Sequence, residues 1–277
     1  FGLWLGKEAE KRGKFVIYHV AGDVRYGYLS PKYKGILRLL AKAIGNYLHK
    51  KSFGLGNNGV FLCTGSKLLN FYKSTGKRAI YFIDSLISSE NLKMPKIELN
   101  YPVKMLYVGR ILEEKGVFFL LDAIEEIRDE YNVELNIVGF GRDENKLKEK
   151  IQDKRYIRFH GFIGNNSDLH NIYSENNIFV LPSLSFYEGF PRVIVEAWAN
   201  GLFVISSRVG GIEGLGKDRQ NLMFFKAGDK ADFIENVRLI IENGELRNKL
   251  AKGVREVQEV ITFEYSVSII KNIINEI

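Results

Sequence analysis

The chain has 277 residues, 45% of them hydrophobic and 26% charged, with a formal net charge of +7. That is the composition of a globular protein of one or two domains, with no apolar run near the roughly 18 residues a bilayer span needs and no secretory signal pattern at its start. The single cysteine, Cys63, excludes an internal disulfide framework and fits a reducing compartment, and the four scattered histidines give no metal-ligand spacing.

The charge is unevenly spread. Residues 1–100 hold 17 Lys+Arg against 6 Asp+Glu, a net of +11, and residues 101–277 hold 23 against 27, a net of −4. Such asymmetry predicts two domains, the first either meeting an anionic membrane surface or acceptor or simply carrying a solvated basic surface.

In chain order, Glu8 to Lys14 reads as the end of a helix already under way, so an N-terminal portion is expected to precede Phe1. Phe15 to Val20 reads as a buried strand, with His19 a packed core residue, and leads to Gly22-Asp23. A helix pattern from Pro31 to about His49 mixes Tyr33, Ile36, Leu37, Leu40, Ile44, Tyr47 and Leu48 with lysines and Arg38. A basic amphipathic helix of this kind either packs its apolar face on a sheet, the commoner use, or lies on an anionic membrane. Strand Val60–Cys63, a helix opening at Ser66 and strand Ala79–Ile83 follow, and residues 84–101 read as a linker.

The second part alternates more regularly. Strand Val103–Val108 leads through Gly109-Arg110 and Lys115-Gly116 to a helix over 117–130, and strand Val133–Val138 ends in Gly139-Phe140-Gly141. A helix near 143–152, strand Ile157–His160, a helix near 168–174 and strand Ile178–Leu181 come next. A helix after Pro191, strands Phe203–Ser206 and Leu222–Phe225, and two terminal helical stretches complete the pattern. Alternating strands and helices predict an α/β fold with parallel sheets, whose ligands bind beyond the carboxyl ends of the strands. Arg110, Gly139, Glu188 and Gly210-Gly211 all follow strands and could share one cleft. Gly54-Leu55-Gly56-Asn57-Asn58-Gly59 matches a dinucleotide motif in letters alone; it precedes a strand, so it reads as a loop.

The most informative stretch is Glu188-Gly189-Phe190-Pro191-Arg192-Val193-Ile194-Val195-Glu196. Pro191 suits the first helical turn, Glu188 falls in the entering loop and Glu196 inside the helix, so two carboxylates flank a helix N-terminus able to face an anion. Arg110 and Lys115 could add cations for a diphosphate. As isolated residues Arg110 and Lys115 are more often plain surface charges; Asp23 is a catalytic acid or base, a sugar-hydroxyl acceptor or a turn aspartate.

YVGRILEEKG (107–116), NIVGFG (136–141), FHGFI (159–163), FVLPSLSFYEGFPRVIVEAWANG (179–201) and VGGIEGL (209–215) together resemble a retaining glycosyltransferase of the GT-B fold, family 4 of the glycosyltransferases. The resemblance implies two Rossmann-like domains, the N-terminal one incomplete: 1–100 as a partial acceptor-side domain and linker, 101–262 as the nucleotide-sugar-binding domain, and 263–277 as a helix packing back on the first. It implies a hexosyl transfer from a nucleotide diphosphate sugar of UDP or GDP type to a saccharide, glycolipid or lipid-linked acceptor, with retention, no metal ion and no nucleic acid. The site would sit in the cytoplasm or peripherally on the cytoplasmic membrane face. Arg110, Lys115 and Gly109 would hold the diphosphate, Glu188 the sugar hydroxyls, main-chain groups of Gly189, Phe190 and Val193 the phosphate or sugar, and Glu196 the ribose. Backbone at Phe162 and Ile163 would meet the base, near Gly139, and Asp23 would lie by the reacting sugar. A sugar-nucleotide epimerase or a non-catalytic nucleotide-sugar-binding domain would share the same pattern.

Overall fold

A computed structural model describes residues 2–22, 25, 28, 33–52, 54–164, 166–184 and 190–277. Helix α1 (Gly2–Lys11) leads to strand β1 (Val16–Val20), helix α2 (Gly35–Ser52), strand β2 (Gly59–Cys63), helix α3 (Ser66–Ser74) and strand β3 (Ala79–Tyr81). These three strands form a parallel sheet in the order β1-β2-β3, with Val16 opposite Gly59 and Cys63 opposite Tyr81.

The remaining elements are β4 (Val103–Val108), α4 (Val117–Ile127), β5 (Val133–Val138), α5 (Glu144–Ile151), β6 (Ile157–Phe159), α6 (Asn166–Glu175) and β7 (Ile178–Leu181). They continue through α7 (Arg192–Ala199), β8 (Phe203–Ser207), β9 (Met223–Phe225), α8 (Lys230–Glu242), α9 (Gly244–Gln258) and α10 (Phe263–Asn275). Six parallel strands run in the order β6-β5-β4-β7-β8-β9. The order reverses direction between β4 and β7, and at such a switch point loops splay apart and leave a crevice.

Side-chain alternation builds the core of this larger sheet. Met105 and Tyr107, Leu135 and Ile137, and Phe203 and Ile205 pack on one face beneath α4 and α8. Leu106, Phe179, Val204 and Phe224 pack on the other, beneath α7 and α9, around fully buried Trp198. The period of two is what assigns each residue its face.

The smaller sheet departs from expectation. Strand β1 is an edge among the described strands, so only Tyr18 is buried along it, and Ile17 and His19 are exposed. The His19 ring still rests edge-on against Phe82, and its Nε2 lies 3.3 Å from the Thr64 hydroxyl. The two terminal helical stretches expected after β9 are three helices: Asn243 breaks the run, and its side chain accepts from the Leu246 N–H to start α9.

Helix α10 returns to the first sheet. Ile273 packs with Val60, Leu62 and Phe82, and Arg78 pairs with Glu276. Ser266 Oγ donates to the Ile83 carbonyl at 2.8 Å, and the Glu264 carboxylate accepts from the Ser89 N–H and the Ser88 hydroxyl at 3.0 Å each. Across the front, the backbones of Gly65, after β2, and Gly211, after β8, nearly touch: a Cβ on Gly211 would lie 3.0 Å from Gly65 Cα. The carboxyl ends of both sheets therefore face one cleft.

Candidate functional site

Beyond β4 the chain runs through Gly109 and Arg110 into a short 3-10 turn at Glu113–Lys115 and then Gly116, left-handed at φ 76°, which opens α4. The turn needs that glycine twice over. Its conformation suits no Cβ, and a Cβ there would sit 1.8 Å from the Pro182 carbonyl at the end of β7. Leu184 N–H donates to the Glu114 carbonyl at 2.9 Å, so the loops after β4 and β7 are joined at the switch point. Gly139, at φ 146°, does the same for β5: a Cβ would lie 1.8 Å from the Gly109 carbonyl. Backbone bonds from Gly109 N–H to Val138 and from Gly139 N–H to Gly161 continue the ladder across the three strand ends.

Arg110 is exposed on this rim, and its carbonyl accepts from the buried Tyr107 hydroxyl at 2.8 Å. Lys115 is half-buried. Burial first, and the neighbouring Arg110 charge second, push its ammonium below the usual lysine range, against an opposing pull from Glu114. Two cations are thus held close enough to repel at the mouth of the crevice, an arrangement that an anion between them would relieve.

Pro191 stands just ahead of α7 in extended conformation, φ −70° and ψ 114°, one position earlier than expected; the helix begins at Arg192. An extended proline with its carbonyl accepting from Ile194 N–H at 3.1 Å serves as the cap, because its ring fixes φ without committing ψ to the helix. Phe190 turns its ring inward against Trp198, leaving its backbone nitrogen toward Gly211, whose Cβ position lies 3.7 Å away.

Glu196 faces a cavity of about 430 Å³ whose walls include Asp84 from the segment after β3, Ser167 and His170 from α6, and Arg192 from α7. Its Oε2 accepts from the hydroxyl of Tyr173 at 2.9 Å. Tyr173 is fully enclosed; burial, and then the Glu196 charge, hold its hydroxyl well above the ordinary phenol range, so it remains a donor. At the ends of β5 and β6, Phe140 and Phe162 project into solvent and meet edge to face at 5.2 Å. Ile163 is half-buried beside them. Among the described residues no group of three or more His, Cys, Asp or Glu side chains is clustered.

Residues 90–257 match the model of the family described as glycosyl transferases group 1. The chain belongs to that family. It is 25% identical over 233 residues to LpsE, the lipopolysaccharide core biosynthesis glycosyltransferase of Rhizobium meliloti (strain 1021), across 82% of this chain and 66% of that protein. It is 28% identical over 261 residues to the N,N'-diacetylbacillosaminyl-diphospho-undecaprenol alpha-1,3-N-acetylgalactosaminyltransferase of Campylobacter jejuni subsp. jejuni, across 91% of this chain and 68% of that protein. The chain therefore spans about two thirds of these relatives, by the same percentages. Its fold is similar to that of Anabaena HepE, solved in complex with UDP, with a TM-score of 0.71 at 15% identity over 99% of this chain and 76% of that one. The two parallel sheets are the GT-B fold of this family.

Within that frame, Gly109, Arg110, Lys115 and Gly139 share one rim, and Phe190, Val193 and Glu196 belong to the adjoining α7 segment. Glu188, Gly189 and Asp23 lie outside the described residues. Tyr173, His170 and the Asp84 wall are absent from the expected site. Tyr173 falls on the inward face of α6, where an aromatic residue reads as plain core, and its bond to Glu196 spans 23 positions of sequence.

Proposed function

We propose that the chain binds a nucleotide diphosphate sugar in the β4/β7 crevice and transfers its hexosyl group to a hydroxyl acceptor with retention, as a family 4 glycosyltransferase. The observation that carries this is the joining of the Arg110–Lys115 loop to the end of β7, which puts two cations at the switch point, where ligands of such sheets bind. The bond from the anomeric carbon to the diphosphate oxygen breaks, a bond to the acceptor oxygen forms, negative charge develops on the leaving diphosphate, and the proton lost by the acceptor hydroxyl passes to that diphosphate. Arg110 and Lys115, with the α7 N-terminal groups near Phe190 and Val193, stabilise that charge without a metal ion. Glu196 accepts from the ribose hydroxyls in its cavity, and the loop at Phe162–Ile163 borders the base. Glu188 and Gly189 serve the donor sugar, and Asp23 the reacting centre. UDP in the HepE complex favours a UDP donor over a GDP one. The names of the relatives support a saccharide or lipid-linked acceptor, and the basic first hundred residues support a place on the cytoplasmic membrane face.

A thermal-shift panel of UDP-, GDP- and ADP-sugars tests the donor half. One base class should stabilise the protein, by mass action on the folded state; no shift with any of them rejects the proposal. Tyr173→Phe is a finer probe. It removes one hydrogen bond to Glu196 and should weaken nucleoside diphosphate binding by about 3- to 10-fold, the effect of roughly 0.5–1.5 kcal/mol. A 2′,3′-dideoxy analogue should show no such loss; an equal loss in calorimetry with both would make Tyr173 a core residue only.

A further inference from the structure

Phenylalanine is among the residues most often buried, yet two of them stand open at the rim of the crevice. Phe162 is 68% exposed and Phe140 56%, and their rings meet edge to face, with 85° between the planes. Each directly follows a glycine at the carboxyl end of a strand, and those glycines are joined: Gly139 N–H donates to the Gly161 carbonyl at 2.8 Å. Gly161 is left-handed at φ 67°, so the chain turns sharply just before Phe162.

Both rings are held in place. Phe162 lies over the backbone of Gly164, where a Cβ would come within 3.3 Å of its Cε1. The Phe140 carbonyl accepts from the Ile111 N–H at 2.9 Å, one residue past Arg110. Ile163, beside Phe162, packs against the core cluster that contains Tyr173. The pair is thus tied on one side to the loop that carries the two cations, and on the other to the helix whose Tyr173 holds Glu196.

Whatever covers these rings must be small, flat and apolar on its face. At roughly 200 Å² for a whole phenylalanine side chain, two partly exposed rings fall well short of the about 800 Å² per partner that a stable protein interface buries. A nucleobase has the right size. Its π face stacks on an aromatic ring while its polar edge stays free to hydrogen-bond main-chain groups.

We propose that the Phe162 ring, backed by Phe140, is the platform on which the donor's base stacks, so that the chain grips the base by its face as well as by its edge. This deepens the donor reading above and rests on it. With the diphosphate at Arg110 and Lys115 and the ribose at Glu196, the platform supplies a third hold on the nucleotide. Stacking tolerates any base, so the platform contributes affinity and leaves the choice among bases to contacts along the edge.

The test compares UDP with 5,6-dihydro-UDP by calorimetry. Reducing the 5,6 double bond keeps the ribose, the diphosphate and the hydrogen-bonding edge of the base but removes its flat π face. Wild type should bind UDP about 5- to 150-fold more tightly than the dihydro analogue, the range found on deleting one base-stacking aromatic residue. Phe162→Ala should weaken UDP by the same factor and leave the analogue nearly unaffected, so that the preference disappears. Phe162→Tyr should keep the preference, and Phe140→Ala should reduce it in part, since the edge contact that steadies Phe162 is lost. Both side chains are exposed, so the variants should fold, and equal melting temperatures check this. Equal binding of the two ligands by wild type, or an equal loss of both in Phe162→Ala, would overturn the platform. Unchanged UDP affinity in Phe162→Ala would do the same while leaving the nucleotide site standing. A wild-type chain that binds no UDP would instead overturn the uridine donor proposed above, and the platform with it.

Discussion

Glu196→Ala is expected to weaken nucleoside diphosphate binding by about 10- to 150-fold, the range set by roughly 1.5–3 kcal/mol for a hydrogen bond to a charged group. The carboxylate is poised for such a bond. It stands half-buried on α7, one oxygen held by the Tyr173 hydroxyl at 2.9 Å, with its cavity open beyond. Alanine suits a helix interior, so α7 should persist, but the enclosed Tyr173 hydroxyl loses its acceptor and the melting temperature should fall. The decisive comparison is again the dideoxy analogue. If Glu196 reads ribose hydroxyls, the variant and the analogue lose the same interaction, and their combined effect falls well short of the sum. Additive losses would mean that the ribose lies elsewhere and that Glu196 acts on the fold of the cavity.

Much of this arrangement is legible in the sequence, and the reason is geometric. The apolar runs VKMLYV and VELNIV read as strands buried on both sides, and their residues alternate between the two faces of the sheet. Glycines after β4 and β5 announce close approach, and the structure brings Gly139 against the Gly109 carbonyl. Periodicity names the residues that share a face but not what that face meets. His19 and Ile17 read as core until β1 takes the edge of its sheet. The α2 stripe reads as a packing surface, yet Ile36, Leu40, Ile44 and Tyr47 are exposed. The bond between Tyr173 and Glu196 joins two helices across an intervening strand, and only three-dimensional proximity reveals it. The partial burial of Lys115 likewise depends on the loop after β7 folding over the turn that carries it.

That burial gives Lys115→Met two expected effects of opposite sign. In catalysis, losing one preorganised cation at the developing diphosphate charge should lower kcat by about 100- to 1,000-fold, the usual effect of removing a transition-state donor. In stability, the variant should gain. The folded-state lysine has a lowered pKa, so below that pKa a charged group is held where burial and Arg110 oppose it more than Glu114 favours it. The unfolded chain binds the proton more tightly, so wild-type stability rises with pH as the alkaline limb is crossed, and methionine removes the strain at neutral pH. A bound diphosphate reverses the balance by favouring the ammonium. Donor affinity should therefore be level through neutral pH and fall as pH rises through the lowered pKa of Lys115, below the onset expected for an ordinary lysine. Calorimetry across that range should show the fall in wild type and its absence in Lys115→Met, while melting curves show the variant more stable at pH 7. A variant that is both less stable and unchanged in its pH dependence would make Lys115 a structural lysine, and Arg110 alone would then carry the diphosphate.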